Sequence, residues 1–187
     1  MTTDLPSREV LLCVTGGVAC YKAADLASRL VRAGAGVTVA MTEAACRFVA
    51  PLTFRALTGR AVHTSLWETS GGHDMEHVAV TEQAHIMVLA PATANILGKL
   101  AGGIADDLVS TLALTASGAC PILLAPAMNS RMWAAQAVQD NVKTLLARRC
   151  HLVGPCEGRL ACGAVGPGRM AEPEDIVAKI AEILAKG

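Results

Sequence analysis

Short apolar runs that alternate with helical patterns constrain this chain more than any other feature. "EVLLCVT" (9–15) is continuously apolar, as a strand buried on both faces must be. "GVTVAMT" (36–42), "HIMVLAP" (85–91), "CPILLAP" (120–126) and "CHLVGP" (150–155) repeat the signal. From 18 to 33 the apolar positions Ala19, Ala23, Leu26, Ala27, Leu30 and Val31 follow helical spacing, and Gly34 supplies a stop. Further helices are predicted at about 43–57, 94–101, 106–117, 134–148 and 173–185. Strand–helix alternation of this kind implies α/β architecture, a parallel sheet covered by helices.

At 187 residues the chain reads as one domain, 1–187. It is 52% hydrophobic but 3% aromatic, so the core must come from aliphatic side chains. Sixteen basic residues balance sixteen acidic ones, which gives no footprint for nucleic acid and no basic patch for a membrane surface. No apolar run reaches the roughly 20 residues that cross a bilayer, and the polar N-terminus lacks the pattern of a secretory signal. Seven cysteines without a C-x-x-C pair point to a reducing, cytoplasmic compartment. Cys150, His151, Cys156 and Cys162 fit no familiar zinc spacing, so no metal is expected.

Two tracts read as irregular. Residues 60–80 carry "TSGGHD", and 154–172 contain "EGRLACGAVGPGRM", too glycine-rich for a helix and too irregular for a strand. The second, the only linker-like tract, is expected to be a mobile loop.

Ligands of an open α/β sheet bind beyond the carboxyl ends of its strands. Four segments meet there: "TGGVACYKAADL" (15–26), "APATANILGKL" (90–100), "APAMNSRMW" (125–133) and "MEHVAVTEQAHIMVLAP" (75–91). The glycine turn could place amides around a phosphate at a helix N-terminus, although it is not G-x-G-x-x-G. Thr93 and Asn95 stand where helix caps belong, and capping alone would justify either, as it would Asn129. Adjacent Asp106 and Asp107 read as one cap and one acid at a positive helix end.

Together, "GGVACYK", the histidine upstream of "APATAN", "PAMNSRMW" and "LACGAVGPGRM" resemble the FMN-dependent cysteine decarboxylases. Among these they resemble the branch that acts on 4′-phosphopantothenoylcysteine in coenzyme A synthesis. The resemblance runs from about Glu9 to the end. It implies a flavodoxin/Rossmann-like three-layer sandwich that binds FMN. It places Gly16, Gly17, Val18, Thr42, Phe48, Thr93, Ala94 and Asn95 at the cofactor, and Ala127, Met128 and Asn129 at the substrate. His77 would handle the thiol proton, Asn129 would hold the carboxylate, and Cys162 would return a proton to carbon. His85 stands where the family usually has an acid and is read as structural, whereas His63, His73 and His151 match no family site.

The implied activity is flavin oxidation of the cysteinyl moiety, loss of CO₂ and re-reduction of the enethiol. The resemblance also implies a site shared between subunits of a homotrimer, or of a multiple of trimers, and a small-molecule substrate. Three rivals stand beside it: a peptidyl-cysteine decarboxylase, a flavin-fold regulatory binding protein and a flavodoxin-like electron carrier. The first needs no donor thiol, the second usually has acidic tails, and the third needs no substrate loop.

Overall fold

The computed structural model describes residues 4–67, 76–159, 163 and 165–186, with the side chains of 76–78 outside that description. Strands β1 (Glu9–Val14), β2 (Gly36–Met41), β3 (Val62–His63), β4 (Ile86–Ala92), β5 (Ile122–Pro126) and β6 (His151–Leu152) form one parallel sheet in the order β3-β2-β1-β4-β5-β6. That is a doubly wound order, whose direction reverses between β1 and β4.

The helices are α1 (Cys20–Arg32), α2 (Glu43–Cys46), α3 (Pro51–Thr58), α4 (Glu76–Gln83), α5 (Ala94–Gly102), α6 (Leu108–Ala116), α7 (Ser130–Ala134), α8 (Gln136–Ala147) and α9 (Pro173–Lys186). A two-stranded antiparallel ribbon, β7 (Cys156–Arg159) with β8 (Val165–Arg169), stands apart from the main sheet.

The continuous apolar runs are explained by two cores, one on each face. Along β1, Val10, Leu12 and Val14 join the core built with α1 and α9, while Leu11 and Cys13 join the one built with α5, α6 and α8. Successive strand residues point to opposite faces, so a strand covered on both sides has no polar positions to alternate. On α1, Ala23, Leu26, Ala27 and Leu30 are fully buried. Burying each such leucine contributes about 1.5–3 kcal/mol.

Four expectations are corrected. The helix expected over 43–57 is two, because the residue before Pro51 is driven out of helical conformation and Ala50 is extended (φ −67, ψ 141). The helix expected over 134–148 starts after an extended Ala135, with α7 preceding it as a separate turn. Residues 60–80 contain β3 and α4. In the stretch taken as too irregular for a strand, the described residues up to Arg159 and from Val165 to Arg169 belong to the β7–β8 ribbon. Pro167 is tolerated there because a two-stranded ribbon has open edges.

Candidate active site

Four strand ends surround one cavity of about 1200 Å³ at the point where the sheet order reverses. It is walled by residues 15–19, 21 and 22 after β1, 42–44 after β2, 93–96 after β4 and 127–129 after β5. All four strands are parallel, so these loops emerge at the same end of the sheet.

Backbone and side-chain bonds stitch the rim. Thr15 Oγ1 donates to the Pro91 carbonyl at 2.7 Å, and the Thr93 N–H donates back to Thr15 Oγ1 at 3.2 Å. Thr93 caps α5, its hydroxyl accepting from the Ile96 N–H at 3.4 Å. Thr42 caps α2 and also bonds β1, its N–H reaching the Val14 carbonyl at 3.1 Å. The Ala127 N–H donates to Ala92 at 3.1 Å. Asn129 caps α7, its Oδ1 accepting from the Arg131 N–H at 2.8 Å.

The glycine turn divides into two roles. A Cβ at Gly16 would lie 2.4 Å from the Ala44 Cβ, so this glycine lets the turn close on α2. A Cβ at Gly17 would meet only the Thr93 methyl, at 3.7 Å, and would occupy the cavity wall. The N–H groups of Gly17, Val18, Ala94 and Asn95 donate to no carbonyl or hydroxyl among the described residues. Two sets of free amides at helix starts suit the phosphate of a mononucleotide. The volume admits a flavin-sized group together with a substrate.

The β7–β8 ribbon closes one wall. The Met128 N–H donates to the Gly168 carbonyl at 2.9 Å. A Cβ at Gly168, where φ is +143°, would fall 2.3 Å from the Met128 oxygen, so only glycine permits this approach. Lys22 of α1 is buried, and its Nζ donates to the Met170 carbonyl at 3.2 Å and to Glu172 Oε2 at 3.0 Å. Lys99 bonds both Asp106 and Asp107 at 2.6 Å, and these carboxylates, Asp106 foremost, raise its pKa. The same bond to Lys99 holds the Asp106 carboxyl below the usual range. Asp107 forms a capping box with Ser110 at the start of α6.

Of the residues expected at cofactor and substrate, Gly16, Gly17, Val18, Thr42, Thr93, Ala94, Asn95, Ala127, Met128 and Asn129 all line this cavity. Phe48 does not; it follows α2 and is 57% exposed. His77 falls in α4, but its side chain, like all of Cys162, lies outside the described residues. His85 has a structural partner, its Nδ1 accepting from the Glu9 N–H at 3.0 Å. Reasoning from sequence missed Lys22, Arg159 and Arg169 on the cavity wall. Their only signal was three cations inside motifs valued for other residues.

A family model described as Flavoprotein matches residues 1–185. The chain belongs to that family. Its similarity to the coenzyme A biosynthesis bifunctional protein CoaBC of Bacillus subtilis is 49% identity over 178 residues, 95% of this chain and 43% of the relative. The chain thus spans less than half the length of that curated relative. Among solved structures, a PPC decarboxylase mutant complexed with pantothenoylaminoethenethiol superposes with a TM-score of 0.83 at 29% identity, covering 97% of this chain and all of the other. SpaF, described as an FMN-dependent cysteine decarboxylase, gives 0.81 at 31% identity, covering 100% of this chain and 98% of the other. The doubly wound fold of this Flavoprotein-family chain is therefore shared along its whole length.

Proposed function

We propose that the chain decarboxylates 4′-phosphopantothenoylcysteine to 4′-phosphopantetheine with FMN, as one flavoprotein domain of coenzyme A biosynthesis. The observation that carries this reading is the single cavity that joins a free-amide glycine turn to the Asn129 cap. The names of the relatives, CoaBC and PPC decarboxylase, support the substrate. The FMN-dependent SpaF supports the cofactor.

The net reaction breaks the bond between carbon and carboxylate, releases CO₂ and puts a proton on that carbon, with no net oxidation. FMN, when bound, supplies a two-electron acceptor that later gives the electrons back. Residues 16–18, Thr42 and 93–95 hold it through amides and hydroxyls. Asn129 orients the substrate carboxylate with a neutral amide. An arginine in its place would stabilise the charge in the ground state and raise the barrier to CO₂ loss. His77 takes the thiol proton, and Cys162 delivers a proton to carbon in the reductive half.

Assembly as a homotrimer belongs to the same proposal. Val18, Tyr21 and Met132 line the cavity yet are 60%, 64% and 48% exposed, as side chains awaiting a second copy would be. A cytoplasmic location fits a biosynthetic enzyme of this kind. The test is mass spectrometry of the product formed by the flavin-loaded protein from 4′-phosphopantothenoylcysteine. Loss of CO₂ alone supports the full cycle. Loss of CO₂ and two hydrogens restricts the chain to the oxidative half, and no conversion overturns the reading.

A further inference from the structure

We infer that Arg159 and Arg169 form a phosphate-monoester subsite at the cavity wall, which selects a substrate phosphorylated at the end remote from its cysteine. The inference rests on the decarboxylase reading for the identity of the ligand. Its physical basis is the ribbon itself.

Arg169 ends β8 opposite Cys156 and Arg159 ends β7 opposite Val165, so they stand at opposite ends of the antiparallel ribbon, and both line the cavity. The Arg169 guanidinium lies across Gly158: its Cζ is 3.4 Å from where a Cβ would stand, at a φ of +152°. That is ordinary van der Waals contact, so the positive φ, rather than a lack of room, is what favours glycine at 158. Glu172 fixes the same group from the other side, with Oε1 3.1 Å from Nη2. Glu172 is itself held by buried Lys22 at 3.0 Å. Arg169 is thus oriented before any ligand arrives.

The charge balance then defines the ligand. Lys22 and Arg169 share one carboxylate, Glu172, and Arg159 has no ion pair among the described residues. Three cations against one anion leave two positive charges on this wall. Lys99 is paired separately with Asp106 and Asp107, a group that carries one net negative charge at the start of α6 rather than on the ribbon. Glu43 also lines the cavity but follows β2, two strands from β4 in the sheet order, whereas the ribbon abuts Met128 after β5. A phosphate monoester carries about −1.5 to −2 at neutral pH, and planar guanidinium forks match its oxygens. FMN also bears a phosphate monoester, so the two sources must be separated.

The experiment is calorimetric titration of the flavin-loaded protein with 4′-phosphopantetheine and with pantetheine. FMN affinity is followed in parallel by flavin fluorescence. The wild type is expected to favour the phosphorylated ligand by about tenfold or more, and this preference should shrink as salt rises. Arg159→Gln and Arg169→Gln should each bring the affinity ratio towards one. Arg159→Gln has no ion pair to lose among the described residues, which keeps the test valid if Arg169→Gln folds poorly. Equal wild-type affinities, or a ratio unchanged in both variants, overturn the subsite. Weaker FMN binding with an unchanged ratio assigns the arginines to the flavin phosphate and also overturns it. Preference without turnover of 4′-phosphopantothenoylcysteine would sink the decarboxylase reading and leave the subsite standing. Turnover without preference would do the reverse.

Discussion

The buried hydroxyl of Thr15 ties β1 to β4 where the sheet order reverses, donating to the Pro91 carbonyl at 2.7 Å while accepting from the Thr93 N–H at 3.2 Å. One side chain thereby sets the spacing of the two loops that carry Gly17 and Thr93. Thr15→Val keeps the shape and strands both partners in a buried place. The expected cost is about 1–3 kcal/mol of unfolding free energy by urea titration. An unchanged midpoint would mean that water replaces the hydroxyl.

The two glycines of the first turn should separate packing from binding. Gly16→Ala drives a Cβ to 2.4 Å from Ala44, and such overpacking costs typically about 1–3 kcal/mol. Gly17→Ala meets only the Thr93 methyl at 3.7 Å and should leave stability nearly intact while weakening FMN binding. Thermal melts of the apoproteins and flavin titrations decide the matter. Equal losses of stability would remove the distinction.

How far sequence carries depends on where each residue finds its partners. β1, β4 and β5 were legible because strands buried on both faces show uninterrupted apolar runs, and β2 because only the half-buried Thr38 breaks its run. Local chemistry revealed the caps Thr93, Asn129 and one of Asp106 and Asp107, but Asn95, also expected to cap, lies inside α5, and Thr42 caps α2 although it was expected only at the cofactor. The ribbon was hidden because "CEGR" and "VGPGR" have neither alternation nor β-propensity, and a bond from Met128 to Gly168 holds it. Lys22 was hidden for a related reason: its partner Glu172 lies 150 residues away in the chain. The ends of α2 and α3 needed the local rule that disfavours helix before Pro51.

The Lys99 cluster should leave a signature at both ends of the pH scale. Asp106 titrates below its usual 3.8, so its contribution is present above that value and is lost as pH falls through the depressed one. Lys99 titrates above its usual 10.5, so its share is complete below that value and is lost as pH rises through the elevated one. The melting-temperature gap between wild type and Lys99→Met should therefore be widest on the plateau between these limits and narrow on both sides. A gap that stays constant from pH 3 to pH 7 would deny the pairing a role.

Asn129 offers the sharpest test of the chemistry, because one substitution can change charge without changing the cap. Its Oδ1 accepts from the Arg131 N–H at 2.8 Å at the start of α7, and aspartate caps a helix as well as asparagine does. Asn129→Asp should therefore fold, melt close to the wild type and bind FMN. The new carboxylate would face the substrate carboxylate, and like charges brought together cost several kcal/mol. At 1.36 kcal/mol per factor of ten, kcat/KM should fall by at least about 100-fold. Flavin absorbance after gel filtration reads the first half of the prediction, and steady-state CO₂ release reads the second. An Asp variant that retains flavin and full turnover would remove Asn129 from the carboxylate. A variant that loses flavin would place it at the cofactor instead.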